Sequence, residues 1–269
     1  MLDSILNSAP LFLLVAARCA GLIFTLPLFS MRTVPRASKI ALIGYLAFFL
    51  MGAADYSAYS KLITSDGVFD LYYILLLLGE AMIGVIMGFY VQIIFAAFST
   101  AAQFFAFQMG FSAASAYDAL SQVENPLMGQ FFNLCAMLVF MQTQWFQKLF
   151  ITGLNNSFEA LNVFGLITER EKMVHFLLKG LTDLFADAFI IALPIMGTLI
   201  LITICTGLLS KAAPQMNLLS EGFPIMILLA FGLIILLFPT IVGFFEKSFN
   251  SGISDLLILF DSIGKGGKS

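Results

Sequence analysis

Two ionisable side chains sit where charge is expensive. Arg18 and Glu80 each lie inside an otherwise apolar stretch. Groups of this kind face protein or a water-filled cavity, and serve either as pathway residues or as a structural pair. The spacing alone does not say which, nor whether they meet. The other chemistry-bearing residues are few. His175 is the single histidine, in a charged stretch, so a multi-histidine metal site is impossible and a polar-surface role is expected. The three cysteines, Cys19, Cys135 and Cys205, are odd in number and far apart, each within an apolar run. They read as small buried residues, not as a disulfide framework or a metal site. No phosphate loop, HExxH, GxSxG or paired-carboxylate motif is present, which points away from an enzyme and implies no cofactor.

The elements that must position these groups are hydrophobic. Of 269 residues, 60% are hydrophobic and 11% charged, which fits an all-α integral membrane-type protein better than a soluble domain. Thirteen Lys+Arg against sixteen Asp+Glu leave a net charge of −3, so there is no basic field for nucleic acid. Six long apolar runs, at 10–29, 40–54, 71–98, 131–150, 186–209 and 224–245, predict about six long hydrophobic helices. The third run is longer than one crossing needs, and so is expected to bend, project or break. With Asp3 in place of a basic region, the first run is expected to stay in the mature chain as a helix. Gly84 and Gly88 form a small-xxx-small pair suited to close helix approach.

The connecting segments carry their own signals. Residues 30–39 hold Pro35 and an acid-free cluster of Arg32, Arg36 and Lys39. If all six runs crossed, this cluster would face opposite the larger number of cations elsewhere, so the positive-inside rule conflicts with itself. Such a conflict is expected when some hydrophobic helices are buried in a protein assembly rather than in lipid. Thr168-Glu169-Arg170-Glu171 reads as a capping box. Val174, Leu177, Leu178, Leu181, Leu184 and Phe185 follow at helical spacing. An amphipathic helix over 168–185 is expected to lead into the fifth run, lying on a membrane surface or binding a partner. Residues 210–223 form a loop with Pro214 and Gly222, and Pro224 opens the last run.

Two stretches carry a family resemblance. The first runs from Arg18 to Lys39 with Gly21, Pro27, Ser30 and Pro35. The second is Gly207-Leu-Leu-Ser-Lys211-Ala-Ala-Pro214-Gln215-Met216-Asn217, followed by Glu221-Gly222-Phe223-Pro224. With the central Gln108-Met109-Gly110, they resemble the FliR family of type III export-gate proteins, over nearly the whole chain. This sequence departs from the family pattern at Ala101-Ala102, at Asp118-Ala119, and around Gln144-Trp145, where a Gly-His pair is usual.

The resemblance implies a single helical, non-enzymatic subunit, residues 1–269, of the flagellar export gate. It implies assembly with FliP-like and FliQ-like chains into a gated pore for unfolded proteins. It also implies docking of an FlhB-like switch protein, and placement in the bacterial inner membrane at the flagellar base. Residues 108–125 resemble the loop that plugs the closed pore. Phe111 is then the candidate apolar stopper, Met109 soft packing beside it, and Gly110 and Ser112 its flanks. The alternative for Met109 and Phe111 is ordinary helix-end packing. Lys211, Pro214, Gln215, Asn217, Gly222 and Pro224 are expected to fix a loop and subunit contacts. The competing function is a small-solute transporter or channel with Arg18 and Glu80 in its pathway.

Overall fold

The computed structural model describes residues 2–30, 34–52, 70–110, 127–161, 163–212 and 218–266. Every element among them is helical. The six apolar runs, the first and fourth continuing into shorter helices, give six main helices. These are α1 (Leu2–Thr25), α3 (Arg36–Met51), α4 (Leu71–Gln108), α5 (Leu127–Gln142), α9 (Arg170–Ala212) and α10 (Leu218–Gly266). Short helices fill the joints: α2 (Pro27–Ser30), α6 (Trp145–Lys148), α7 (Leu154–Ala160) and α8 (Val163–Thr168). A five-residue π turn, Leu149–Gly153, joins α6 to α7.

The third run neither bends into two helices nor breaks; α4 is continuous over 38 residues. With α9 at 43 and α10 at 49 residues, three helices are long and apolar enough to cross a membrane. At about 1.5 Å per residue each measures roughly 57–74 Å, against about 30 Å of bilayer hydrocarbon. Each must therefore project well past a bilayer or be covered by something else.

Several boundaries differ from the sequence expectation. The fourth run is not one helix. α5 stops at Gln142, and Gln144 takes a left-handed conformation (φ 59°, ψ 18°) before α6. No Gly or Pro marks this break, so periodicity ran straight through it. Thr168 closes α8 instead of opening the next helix, and the chain passes through Glu169 into α9. Gly222 and Pro224 lie inside α10, which begins six residues ahead of Pro224. Pro224 is the seventh residue of α10, past the first turn, so the helix continues there at the loss of one i→i−4 backbone bond.

The chain divides into two compact units. The first comprises Met1–Ile93, Gln144–Gly180 and Phe249–Ser269. Its core is a close crossing of α1 and α4. A Cβ added at Gly84 would strike the backbone carbonyl of Arg18, and one at Gly21 would strike that of Ala81. One at Gly88 would strike the Thr25 hydroxyl. The small-xxx-small pair thus brings the two backbones into contact, as its spacing predicts. Tyr90 and Phe176 stack at 4.2 Å nearby, with Gly180 against the Tyr90 ring.

The second unit comprises Ile94–Thr143 and Leu181–Ser248. Its core is phenylalanine: Phe98 on Phe245 at 4.0 Å, Phe105 on Phe132 at 5.3 Å, and Phe95 on Phe140 at 5.4 Å. Offset and edge contacts of this kind add to the burial energy of the rings.

The apolar residues expected to form one stripe on α9 divide between two faces. Met173, Phe176, Gly180 and Leu184 are buried, whereas Val174, Leu178, Leu181 and Phe185 are exposed. The helix is apolar on two faces, so side-chain spacing could not tell which one packs inward. The segment runs into the fifth apolar run within one helix, α9, which continues unbroken to Ala212.

Candidate functional site

The α1–α4 crossing positions the two charges that interrupt apolar runs. Glu80 lies one turn before Gly84 on the same face of α4, and Gly84 abuts the Arg18 carbonyl. The guanidinium therefore reaches the carboxylate without leaving the interface. Arg18 Nε donates to Glu80 Oε2 at 2.7 Å, and Nη2 lies 2.6 Å from the same oxygen. Both side chains are completely buried.

The remaining donors of Arg18 turn to α7 and the residue that ends it. Nη1 donates to Ser157 Oγ at 3.0 Å, and Nη2 to the Leu161 carbonyl at 2.8 Å. The Ser157 hydroxyl in turn donates to the Leu154 carbonyl at 2.7 Å. The Phe158 ring covers the guanidinium carbon at 4.0 Å. Leu161 is extended (φ −135°, ψ 121°) and ends α7, so the cation sits where helix carbonyls lack partners. Arg18 thus ties α1, α4 and α7 into one knot. Charge-assisted bonds of this number offset the desolvation of a buried ion, and removal of one partner typically costs about 3–5 kcal/mol.

The other expected residues are placed as follows. Met109 is buried just past α4, its amide bonded to the Phe105 carbonyl at 2.9 Å. Gly110 adopts φ 85° and donates to the Phe107 carbonyl at 3.1 Å, so it ends α4 in the left-handed manner that favours glycine. Phe111 and Ser112, with the rest of 111–125, lie outside the described residues. So do Pro214, Gln215 and Asn217. Lys211 is exposed in the last turn of α9, Gly222 is half-buried and Pro224 exposed. His175 is exposed, as its charged surroundings suggest. Among the cysteines Cys19 is buried and Cys135 half-buried, but Cys205 is exposed.

Sequence reasoning missed three polar positions. Ser157 carried no signal, since its partner lies 139 residues away. Asp187 did carry one: like Arg18 and Glu80 it interrupts an apolar run. In the second unit its Oδ2 accepts a 2.6 Å bond from the Ser248 hydroxyl, which links α9 to α10. Lys39 is the third, a lysine buried on α3.

Comparison with known proteins decides the class. The profile of "Bacterial export proteins, family 1" matches residues 9–252. The chain belongs to this export family. FliR of Bacillus subtilis (strain 168) is 29% identical over 269 residues, covering 98% of this chain and 99% of the relative. FliR of Escherichia coli (strain K12) is 29% identical, covering 87% and 86%. The surface presentation of antigens protein SpaR of Shigella sonnei is 29% identical, covering 86% and 85%. This export-family chain is an all-α, membrane-type component of a bacterial export apparatus. The gate loop expected at 108–125 starts at the glycine-terminated end of α4.

Proposed function

We propose that the chain is a non-enzymatic subunit of the flagellar export gate. It assembles with FliP-like and FliQ-like chains in the bacterial inner membrane, at the flagellar base, and with them encloses a gated path for unfolded proteins. An FlhB-like switch protein docks on that assembly. The reading rests on one observation above all: apolar surface left uncovered along helices far longer than a bilayer is thick. In the most apolar window of α10 only 17% of the residues are buried within the chain. Lipid can cover about 20 residues of each helix. Sister helices account for the rest.

Residues 108–125 act as the plug in this scheme, with Phe111 as stopper, Met109 and Gly110 as its anchored base, and Ser112 as its flank. The 207–224 stretch, with Lys211, Pro214, Gln215, Asn217, Gly222 and Pro224, fixes contacts to neighbouring subunits. Solute transport through Arg18 and Glu80 is disfavoured, because both are wholly buried and bonded to each other. Co-expression with FliP-like and FliQ-like chains tests the assembly. Recovery of a defined hetero-oligomer is expected. A monodisperse lone chain that moves a solute would sink the reading. Deletion of 112–121 is expected to raise ion leak while assembly survives, and an unchanged leak would remove the plug assignment.

A further inference from the structure

One helix of the first unit is made of two halves anchored in different places. α6, the π turn and α7 run without interruption from 145 to 160. Trp145, Leu149, Gly153 and Ser157, every fourth residue, are all buried. At about 100° per residue, an α-helix would set Trp145 and Ser157 roughly 120° apart over those three steps. The π turn, whose bonds span one residue more, takes up part of that excess. It is what lets both ends of the helix face inward together.

The first half packs on α2. Phe146 and Phe150 lie 5.8 and 6.5 Å from the Phe29 ring centroid and 4.5 Å from each other. The second half holds Arg18, through the Ser157 hydroxyl, the Leu161 carbonyl and the Phe158 ring.

Each flank of the π turn carries a local penalty. Before it, Gln144 sits at φ 59°, a left-handed backbone that a residue with a side chain seldom takes. After it, the buried Oδ1 of Asn155 accepts no hydrogen bond among the described residues. The Nδ2 of the same amide donates to Glu159 Oε1 at 2.9 Å, so the carboxylate fixes which atom is left over. A buried acceptor without a donor is unfavourable. Outliers gathered in this way are characteristic of switch regions, and single π turns within helices of functional ones.

We propose that 145–160 is a two-register helix. Closing the π turn into an α turn rotates the first half by about 100°, the angle of one residue, with Gln144 as the hinge. Trp145 then leaves the core, and Phe146 and Phe150 leave Phe29, which releases α2. The second half stays on Arg18, and the ion pair with Glu80 is undisturbed. The device stands whether or not the chain lines a pore.

The test uses the full chain in mild detergent with whatever subunits accompany it. Hydroxyl-radical oxidation of Trp145, located by mass spectrometry, reads its exposure. Hydrogen exchange of the same peptides reads whether the helix persists. Gln144→Val disfavours the left-handed hinge and is expected to raise Trp145 oxidation about fivefold, with the amides of 145–153 still protected. Unchanged oxidation would overturn the proposal. So would oxidation that rises together with loss of amide protection, since that is fraying and not a change of register. Deletion of Thr152, exposed within the π turn, removes the extra residue, so the present placement needs no π turn. It is expected to lower Trp145 oxidation at least about twofold, and to cancel the effect of Gln144→Val in the double variant. If Gln144→Val fails to fold, the deletion decides alone, and wild-type oxidation in it would overturn the second register.

Discussion

Arg18 and Glu80, 62 residues apart in the chain, form an ion pair with no exposure to solvent on either side. The pair exists because Gly84 admits the α1 backbone one turn away. Its energetic character follows from burial. Attraction is strong, but each ion has lost its hydration, so the pair is worth much less than the penalty for breaking it.

A double-mutant cycle therefore has a defined expectation. Glu80→Leu alone leaves a buried guanidinium and destabilises by about 3–5 kcal/mol, as does Arg18→Met. The double variant loses clearly less than the sum. Denaturation midpoints in detergent, followed by protease resistance of the 144–161 segment, read this out. Additive losses would mean that the two groups do not act as a pair.

The glycines give a contrast within one protein. At Gly84 a methyl group collides with backbone, which cannot rotate away, so Gly84→Ala is expected to destabilise by about 1–3 kcal/mol. At Gly44 and Gly197 nothing lies within reach of a Cβ. There the same change is expected to stabilise by up to about 1 kcal/mol, through helix propensity alone. Equal effects at the two kinds of site would count against the α1–α4 crossing.

Much of this architecture is legible in the sequence, for reasons that also set its limits. Each apolar run became mainly helix, because a helix is the economical way to satisfy a backbone surrounded by apolar groups. The glycine pair was legible because its spacing of four places both residues on one helix face. The partnership of Arg18 with Glu80 was not, since it depends on which helices cross and at what height. Ser157 was invisible for the same reason. Which face of α9 packs inward was not legible because two apolar stripes share that helix. The break at Gln144 escaped because glutamine is an ordinary helix residue, although the family pattern places glycine nearby.

That last point is testable. A left-handed backbone costs a non-glycine residue roughly 1–2 kcal/mol, while glycine adds unfolded-state entropy of about half that. Gln144→Gly is thus expected to hold or raise stability by up to about 1 kcal/mol. Gln144→Val, β-branched at φ 59°, is expected to lower it by at least as much. Thermal midpoints in one detergent suffice. A destabilised glycine variant would indicate that the Gln144 side chain, and not its backbone, is what the turn requires.

The two faces of α9 yield the sharpest separation between folding and assembly. Phe176 is buried and stacked on Tyr90, so Phe176→Ala removes core volume and is expected to cost about 3–5 kcal/mol. Val174 and Leu178, one turn apart on the opposite face, are more than half exposed. Leu178→Gln or Val174→Gln should change the stability of the chain itself by no more than about 0.5 kcal/mol. If sister chains cover this face, the same polar changes must weaken recovery of the complex, since each then buries an amide without a partner at about 1–3 kcal/mol. Protease resistance of the chain and its yield in the co-purified assembly are measured side by side. Loss of resistance in the Gln variants would place Val174 and Leu178 in the chain's own core. Unchanged resistance with unchanged yield would leave this face to lipid and move the sister-helix contacts to α10, where Leu228, Ile235 and Leu236 are each exposed at 74%.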